Sequence, residues 1–332
     1  MKVLIIGGTR NIGYFLAKRL NAEGHQVTIL NRGVSQDNLP ETIARLRCDR
    51  TDRNQLRRAL EGREFDMVVD MVLFKGAEAE AITDILQGRV GHFIFVSTGQ
   101  VYLVRDGITR PFREEDYAGP LMPQPEANTY DYEEWLYGVD KRAVEDTLAE
   151  AHARTAFPYT SLRLPMVNSE RDSFKRLYGY VLRINDGGPI LVPEKPGHAV
   201  RNVYVGDVVD AILRVLNTGQ GKGRAYNISQ DETYALPDLL DLLGQIIGRQ
   251  PHIEIVSREL LKANGFLPDC SPFSDRWMSE LDNTRSKQEL GVTYTPAPIY
   301  LEKIIHFYEK NPPEKPTSYR RRHAEKNLVL SP

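Results

Sequence analysis

The sequence predicts an α/β fold built on a doubly wound parallel sheet, followed by a smaller mixed α/β region. Three observations carry that expectation. Apolar runs alternate with helical patterns through the first half of the chain. A glycine-rich turn joins the first apolar run to the first helical pattern. After Pro165 the alternation weakens, and turns rich in Pro and Gly take over. Strands that alternate with helical segments are joined by crossovers, which make the sheet parallel.

The first strand is Val3, Leu4, Ile5 and Ile6. Gly7-Gly8-Thr9-Arg10-Asn11-Ile12-Gly13 follows at once, and an apolar-periodic helix continues through Phe15, Leu16 and Leu20. Such a turn lets the backbone approach a diphosphate, which sits on the open N–H groups and positive dipole end of the new helix. Gly7 and Gly13 fit the outer glycines of the usual spacing, and Arg10 takes the middle place. The second strand, Val27-Thr28-Ile29-Leu30, ends in Asn31-Arg32. A site for NAD carries Asp or Glu there, to hold the ribose 2′-hydroxyl. A neutral amide and a cation favour the 2′-phosphate form, so the expected cofactor is NADP, with NAD as the alternative.

Arg45-Leu46-Arg47-Cys48 reads as a third strand leading into Asp49-Arg50-Thr51-Asp52. Further strands are expected at 67–69, 93–96 and 159–164, with helices near 53–61, 76–87 and 137–152. Residues 104–136 break the pattern with Pro, Asp, Glu and Tyr; such a stretch is either a functional lid or a plain surface insertion. Beyond Pro165, turns are expected at 186–189 and 193–197, a short strand at 203–205 and a helix at 207–217. Leu236, Leu239, Leu240, Leu243 and Ile247 put a core stripe on a helix over 235–248. The last segment, from Asn311-Pro312-Pro313 and including Arg320-Arg321-Arg322-His323, is expected to be a solvated, partly disordered end.

The chain has 332 residues, enough for one large core or two modest ones. The expected division is a cofactor-binding domain over 1–165, with some later segments returning to it, a mainly substrate-binding region over 166–310, and a polar tail over 311–332. A net charge of -2 gives no overall pull towards nucleic acid or an anionic membrane. Cys48 and Cys270 are the only cysteines. They make neither a disulfide framework nor a metal set, so a reducing cytoplasm is the expected location. No segment has the apolar length of a membrane span, and the N-terminal run is too short for a signal peptide.

Tyr137 and Lys141 lie four apart on a helical pattern, so they share a face. A tyrosine is a poor base at neutral pH, and a nearby ammonium stabilises its phenolate. Ser97 and Thr98 end the strand at 93–96, where ligands of an open α/β sheet bind. Either hydroxyl can position a substrate oxygen that Tyr137 protonates or deprotonates.

Together these pieces resemble the short-chain dehydrogenase/reductase superfamily, in its extended or atypical branch, the NAD-dependent epimerase/dehydratase family. The resemblance rests on the glycine turn, Asp49-Arg50-Thr51-Asp52, Ser97-Thr98-Gly99-Gln100-Val101-Tyr102, Tyr137-Gly138-Val139-Asp140-Lys141, Arg163-Leu164-Pro165, and Arg201-Asn202-Val203-Tyr204-Val205-Gly206-Asp207. It implies a Rossmann-type domain and hydride transfer at a secondary alcohol or ketone, on a sugar or nucleotide-sugar. It implies Tyr137 as acid/base, Lys141 lowering its pKa and holding the nicotinamide ribose, and Thr98 as the catalytic hydroxyl. Gly7, Thr9, Arg10, Asn11, Ile12, Gly13, Asn31, Arg32, Asp49, Arg50 and Pro165 would line the cofactor. Gln100 and Arg201 would meet substrate, although Arg201 reads equally as a surface ion pair before a strand. A homodimer through helices flanking Tyr137 is common among such proteins.

The chain also departs from the family pattern. Dehydratases of the family place Asp-Glu after the catalytic Thr, where this chain has Gly99 and Gln100. Neither side chain titrates, so water elimination is disfavoured. Two alternatives remain: a simple NADPH-dependent ketone or aldehyde reductase, and a non-catalytic dinucleotide-sensing or RNA-binding protein. The second stands because the glycine motif is similar to that of the chloroplast stem-loop-binding proteins, which are linked to RNA; many of those depart from the catalytic set, whereas this chain keeps Thr98, Tyr137 and Lys141. The charge balance offers no overall basic footprint for nucleic acid.

Overall fold

The structure, a computed structural model, describes residues 1–34, 37–194 and 198–330. The first half runs β1 (Lys2–Ile6), α1 (Asn11–Ala22), β2 (Gln26–Asn31), β3 (Ala44–Arg47), α2 (Arg53–Leu60), β4 (Phe65–Asp70), α3 (Gly76–Leu86), β5 (Val90–Thr98), α4 (Gln100–Leu103), α5 (Tyr130–Thr155) and β6 (Tyr159–Leu164). It continues with β7 (Val167–Asn168), α6 (Arg176–Asp186), β8 (Ile190–Pro193), β9 (Val203–Tyr204), α7 (Val205–Thr218) and β10 (Arg224–Asn227). The remainder is α8 (Leu236–Ile247), β11 (Ile253–Val256), α9 (Arg258–Ala263), α10 (Thr284–Leu290), α11 (Ala297–Lys310) and α12 (Arg322–Leu330).

Two units emerge. The first combines Met1–Pro165, Val205–Ser229 and Leu281–Thr293. Its sheet has the order β10-β6-β5-β4-β1-β2-β3, and every pairing is parallel. β1 lies between β2 and β4, with Val3 opposite Val27 on one side and Met67 on the other. Strands covered on both faces read as unbroken apolar runs, and Val3 to Ile6 are all fully buried. The strand order reverses between β1 and β4. That switch point opens a crevice at the carboxyl ends of the strands, where ligands of such sheets bind.

The second unit combines Met166–Tyr204, Gln230–Glu280 and Tyr294–Pro332. Two small parallel pairs, β8 with β11 and β7 with β9, stand among its helices. The stripe on α8 is core as expected: Leu236, Leu239, Leu240 and Leu243 are buried.

Two expectations need correcting. The irregular stretch expected over 104–136 ends early, because α5 begins at Tyr130 with the Thr129 hydroxyl accepting the Tyr132 N–H as its cap. The final segment is not a solvated tail. It forms α12, whose Glu325 is 1% exposed and pairs with the fully buried Arg183 at 2.6 Å, while Arg322 binds Asp186 at 2.7 Å. A buried carboxylate needs these cations, which is why a polar sequence packs inward. The turn expected at 193–197 falls largely on 195–197, outside the described residues.

Candidate active site

The glycine turn sits at the switch point. Gly7 has φ +90°, and a Cβ there would lie 2.7 Å from a Val72 methyl. A Cβ on Gly13 would stand 2.6 Å from the Gly8 Cα. The first position needs a left-handed residue, and the second lets α1 press onto the turn. The Gly7 N–H donates to Leu30 O at 3.0 Å, tying the turn to the end of β2. Unlike α2 and α5, α1 has no side-chain cap. The Asn11 side-chain carbonyl oxygen is buried with no protein partner. Open helix N–H groups, beside an amide that can turn its own donors to the same place, suit a bound diphosphate.

A cavity of about 390 Å³ opens over this turn. Gly7, Thr9 and Arg10 line one side, Asn31, Arg32 and Gly33 another, and Cys48 to Thr51 a third. Asn11, Ile12 and Gly13 form the first turn of α1 behind it. The Asn31 Oδ1 accepts from the Gly33 N–H at 2.9 Å and from the Arg47 guanidinium at 2.5 Å. Asp49 is held ionised, below its ordinary pKa, by hydrogen bonds from Thr51 and by the charge of Arg32. Arg50 lines the cavity, but its guanidinium is engaged elsewhere: it bridges Asp70 at 2.8 Å and Glu78 at 2.5 Å. Burial raises the pKa of Asp70, and Arg50 opposes that shift.

Thr98 closes β5, and Tyr137 lies on α5 above it. Tyr137 is near enough to Thr98 for that hydroxyl to favour the phenolate. The helix comes this close because Gly138 leaves no room for more; a Cβ there would meet the Gln100 carbonyl oxygen at 2.9 Å. Ser97, the other candidate hydroxyl, is committed to structure. It donates to Glu145 at 2.5 Å, and Glu145 is clamped by Arg163 at 2.6 Å. The Gly99 N–H donates to Leu164 O at 2.7 Å, which places Pro165 beside the turn that follows Thr98.

Lys141 is 2% exposed. Its Nζ donates to Val96 O at 3.0 Å and Leu73 O at 3.1 Å, and lies 4.2 Å from the Phe95 ring centroid. Burial lowers its pKa from 10.5 to about 7, with Asp70 and Glu145 opposing. The sequence expectation has the lysine depressing the phenol. In the structure the dominant effect on Tyr137 is burial around the hydroxyl, which pushes it up to about 12 although 37% of the residue is exposed. The nearby Thr98 hydroxyl lowers it, and the charge of Glu134 raises it further.

Glu134 escaped the sequence reading, as did Arg47. Glu134 stands one helical turn before Tyr137, and its carboxylate accepts from the Gln100 side-chain amide at 2.6 Å. Position 100 has no carboxyl of its own, yet the fold brings one against it. The (i, i+3) spacing to Tyr137 is visible in the sequence, but the expected helix starts three residues too late to place Glu134 on it. Arg47 sits directly opposite Asn31 in the β2–β3 register, a pairing only the sheet reveals. Arg201 belongs to the second unit, where its Nε donates to Gln230 O at 2.9 Å.

Among the described residues no side-chain cluster could hold a metal, and no helix is long and apolar enough to cross a membrane. The model of the NAD-dependent epimerase/dehydratase family matches residues 3–229. The chain is 30% identical over 270 residues to the chloroplast stem-loop binding protein of 41 kDa b of Arabidopsis thaliana, covering 77% of this chain but only 65% of that protein. It is 25% identical over 311 residues to the 2′-dehydrokanamycin reductase of Streptomyces kanamyceticus, covering 91% and 81%. In structure it is similar to the UDP-glucose 4-epimerase of Thermotoga maritima, with a TM-score of 0.73 over 93% of this chain and 99% of that one. At 20% identity, that likeness is one of fold.

Proposed function

The chain belongs to the NAD-dependent epimerase/dehydratase family, and on that premise we propose that it is an NADP-dependent oxidoreductase or epimerase of sugars or nucleotide-sugars. Its reaction is hydride transfer at a secondary alcohol or ketone. The observation that carries this reading is the placement of Tyr137 near Thr98 at the carboxyl end of β5, where Gly138 brings α5 hard against Gln100. Gly7, Thr9, Arg10 and the start of α1 would hold the diphosphate, Asn31 and Arg32 the adenosine 2′ substituent, and Asp49 the adenine. A nicotinamide cofactor held by these residues would supply or take the hydride.

The protein's own groups then have separate tasks. Thr98 donates to the substrate oxygen and orients it. The Tyr137 phenol gives that oxygen a proton during reduction, or takes one during oxidation. With its pKa raised by burial, the phenol is a proton donor. Working as a base needs additional positive charge near it, which Lys141 and an oxidised nicotinamide would both supply. Gln100 orients substrate without moving a proton.

The dehydrokanamycin reductase relative favours net reduction over epimerisation. The stem-loop-binding relative supports an RNA-linked reading, against which stand the retained Thr98, Tyr137 and Lys141. The test is a panel of nucleotide-sugars and free oxo-sugars, read by mass spectrometry and NADPH absorbance. A reductase consumes NADPH in proportion to product, and an epimerase forms an isomer with no net consumption. A product lighter by one water would refute the assignment of reaction class. Failure to turn over any carbonyl, with tight RNA binding instead, would refute the enzyme.

A further inference from the structure

We propose that Arg47 is a positioning residue that sets cofactor specificity, by fixing the Asn31 amide so that the adenosine 2′ substituent meets only hydrogen-bond donors. The proposal rests on the reading that this cavity holds the adenosine end of a dinucleotide. Two groups converge on Asn31 Oδ1: the Gly33 N–H at 2.9 Å and the Arg47 guanidinium at 2.5 Å. Both are donors, so the atom they meet must be the amide oxygen and not its nitrogen. The Asn31 Nδ2, with two N–H donors, is what remains for a ligand.

The charges around it agree. Arg32 lines the same wall of the cavity, and Arg47 packs against Gly33, where an added Cβ would meet its guanidinium at 2.9 Å. The carboxylate on the lining is that of Asp49. Its Oδ1 already accepts from the Thr51 N–H at 3.0 Å and the Thr51 hydroxyl at 2.7 Å. A 2′-hydroxyl is best held by a carboxylate that accepts its proton. A 2′-phosphate is acceptor-only at its oxygens and doubly charged, and the Asn31 donors, Arg32 on the lining and the Arg47 charge bound to Asn31 match it. Arg47 thus acts partly through charge and partly by preventing the Asn31 amide from rotating to present its oxygen.

The experiment is calorimetric titration of the full chain with adenosine 2′,5′-bisphosphate and with adenosine 5′-monophosphate. The readout is the ratio of the two affinities. The wild type is expected to favour the bisphosphate by about tenfold or more. Arg47→Ala should cut that ratio by about fivefold while leaving monophosphate affinity within about twofold. Arg47→Lys, which still reaches Oδ1 with one N–H, should restore part of the ratio. An arginine with a merely structural role would weaken both ligands together, and that result overturns the proposal. An unchanged ratio in Arg47→Ala overturns it too, while leaving NADP preference standing. A wild-type ratio near one removes the NADP preference itself, and this proposal with it. Circular dichroism of each variant shows whether a uniform loss comes from unfolding, and Asn31→Asp gives an independent arm. That substitution removes the amide's donors and should lower bisphosphate affinity although Arg47 is still in place. Bisphosphate affinity retained in Asn31→Asp overturns the role given to the amide.

Discussion

Replacing Gly13 with alanine should weaken cofactor binding more than it weakens the fold. The new methyl would stand 2.6 Å from the Gly8 Cα, 2.9 Å from the Gly8 carbonyl carbon and 3.1 Å from the Met71 sulfur. Ordinary carbon contacts begin at about 3.5 Å, so the start of α1 must retreat from the turn by roughly 1 Å. Overpacking of this kind costs about 1–3 kcal/mol. Alanine returns up to about 1 kcal/mol, because Gly13 lies within a helix and has no positive φ to strain. The net loss of stability is therefore about 0–3 kcal/mol. Binding should suffer more, since the displaced N–H groups are those that would face the diphosphate. Each charge-assisted hydrogen bond contributes about 1.5–3 kcal/mol, so losing one weakens the dissociation constant by roughly ten- to a hundredfold. Calorimetric titration with NADPH, alongside thermal unfolding without cofactor, separates the two effects. Gly88→Ala is the control: φ is +71° with nothing within 4 Å of an added Cβ, so it should lower the melting temperature and leave binding alone. A Gly13→Ala dissociation constant within about twofold of wild type would refute the placement of the diphosphate on this turn.

Tyr137→Phe should keep NADPH affinity and lose about 10²–10⁴-fold in turnover, measured on whichever carbonyl substrate the panel yields; near-native turnover makes the residue structural. Lys141 should leave a signature in stability against pH. Its folded pKa is about 7 against an ordinary 10.5, so the unfolded chain binds more protons between those values and stability rises with pH across that window. Melting curves of the cofactor-free protein should show that rise, and Lys141→Met should flatten it; equal slopes would mean the ammonium is not held at low pKa. Glu325→Ala strands the fully buried Arg183 without its carboxylate and should cost about 3–5 kcal/mol in urea unfolding. A loss under about 1 kcal/mol would show that α12 contributes little to the second unit.

The sheet was legible because its strands are buried on both faces: Val3 to Ile6, Met67 to Val69 and Phe93 to Val96 read as continuous apolar runs and occupy β1, β4 and β5. Thr98, Tyr137 and Lys141 were legible for a local reason, since a strand end and an (i, i+4) helix spacing place them without long-range knowledge. The fold hid what depends on register or on helix starts. Arg47 meets Asn31 only because β2 and β3 pair in parallel. Glu134 meets Gln100 only because α5 begins seven residues ahead of Tyr137. The tail deceived because its charges find buried partners in α6, far away in sequence. Likewise the lysine's carbonyl partners, Leu73 and Val96, belong to two other segments, so its effect on the phenol could not be read from spacing.

The interleaved make-up of the first unit governs how the protein can be dissected and how it emerges from a ribosome. Strand β10 comes from a late segment, yet it pairs with β6, placing Asn227 opposite Arg163. Asn227 also accepts from the Tyr102 hydroxyl at 2.9 Å, and its backbone N–H donates to Glu114 at 2.8 Å. Until that segment is synthesised, the nascent chain carries β6 as an open strand edge, a template for pairing with another copy. The same holds for a gene fragment that stops at Pro165. Such a fragment would keep the glycine turn but lose the Asn227 acceptor of the Tyr102 hydroxyl, four residues beyond Thr98. A single cut therefore cannot yield a transplantable cofactor module. A module meant for grafting has to be a redesigned chain that carries 205–229 and 281–293 along with the first 165 residues.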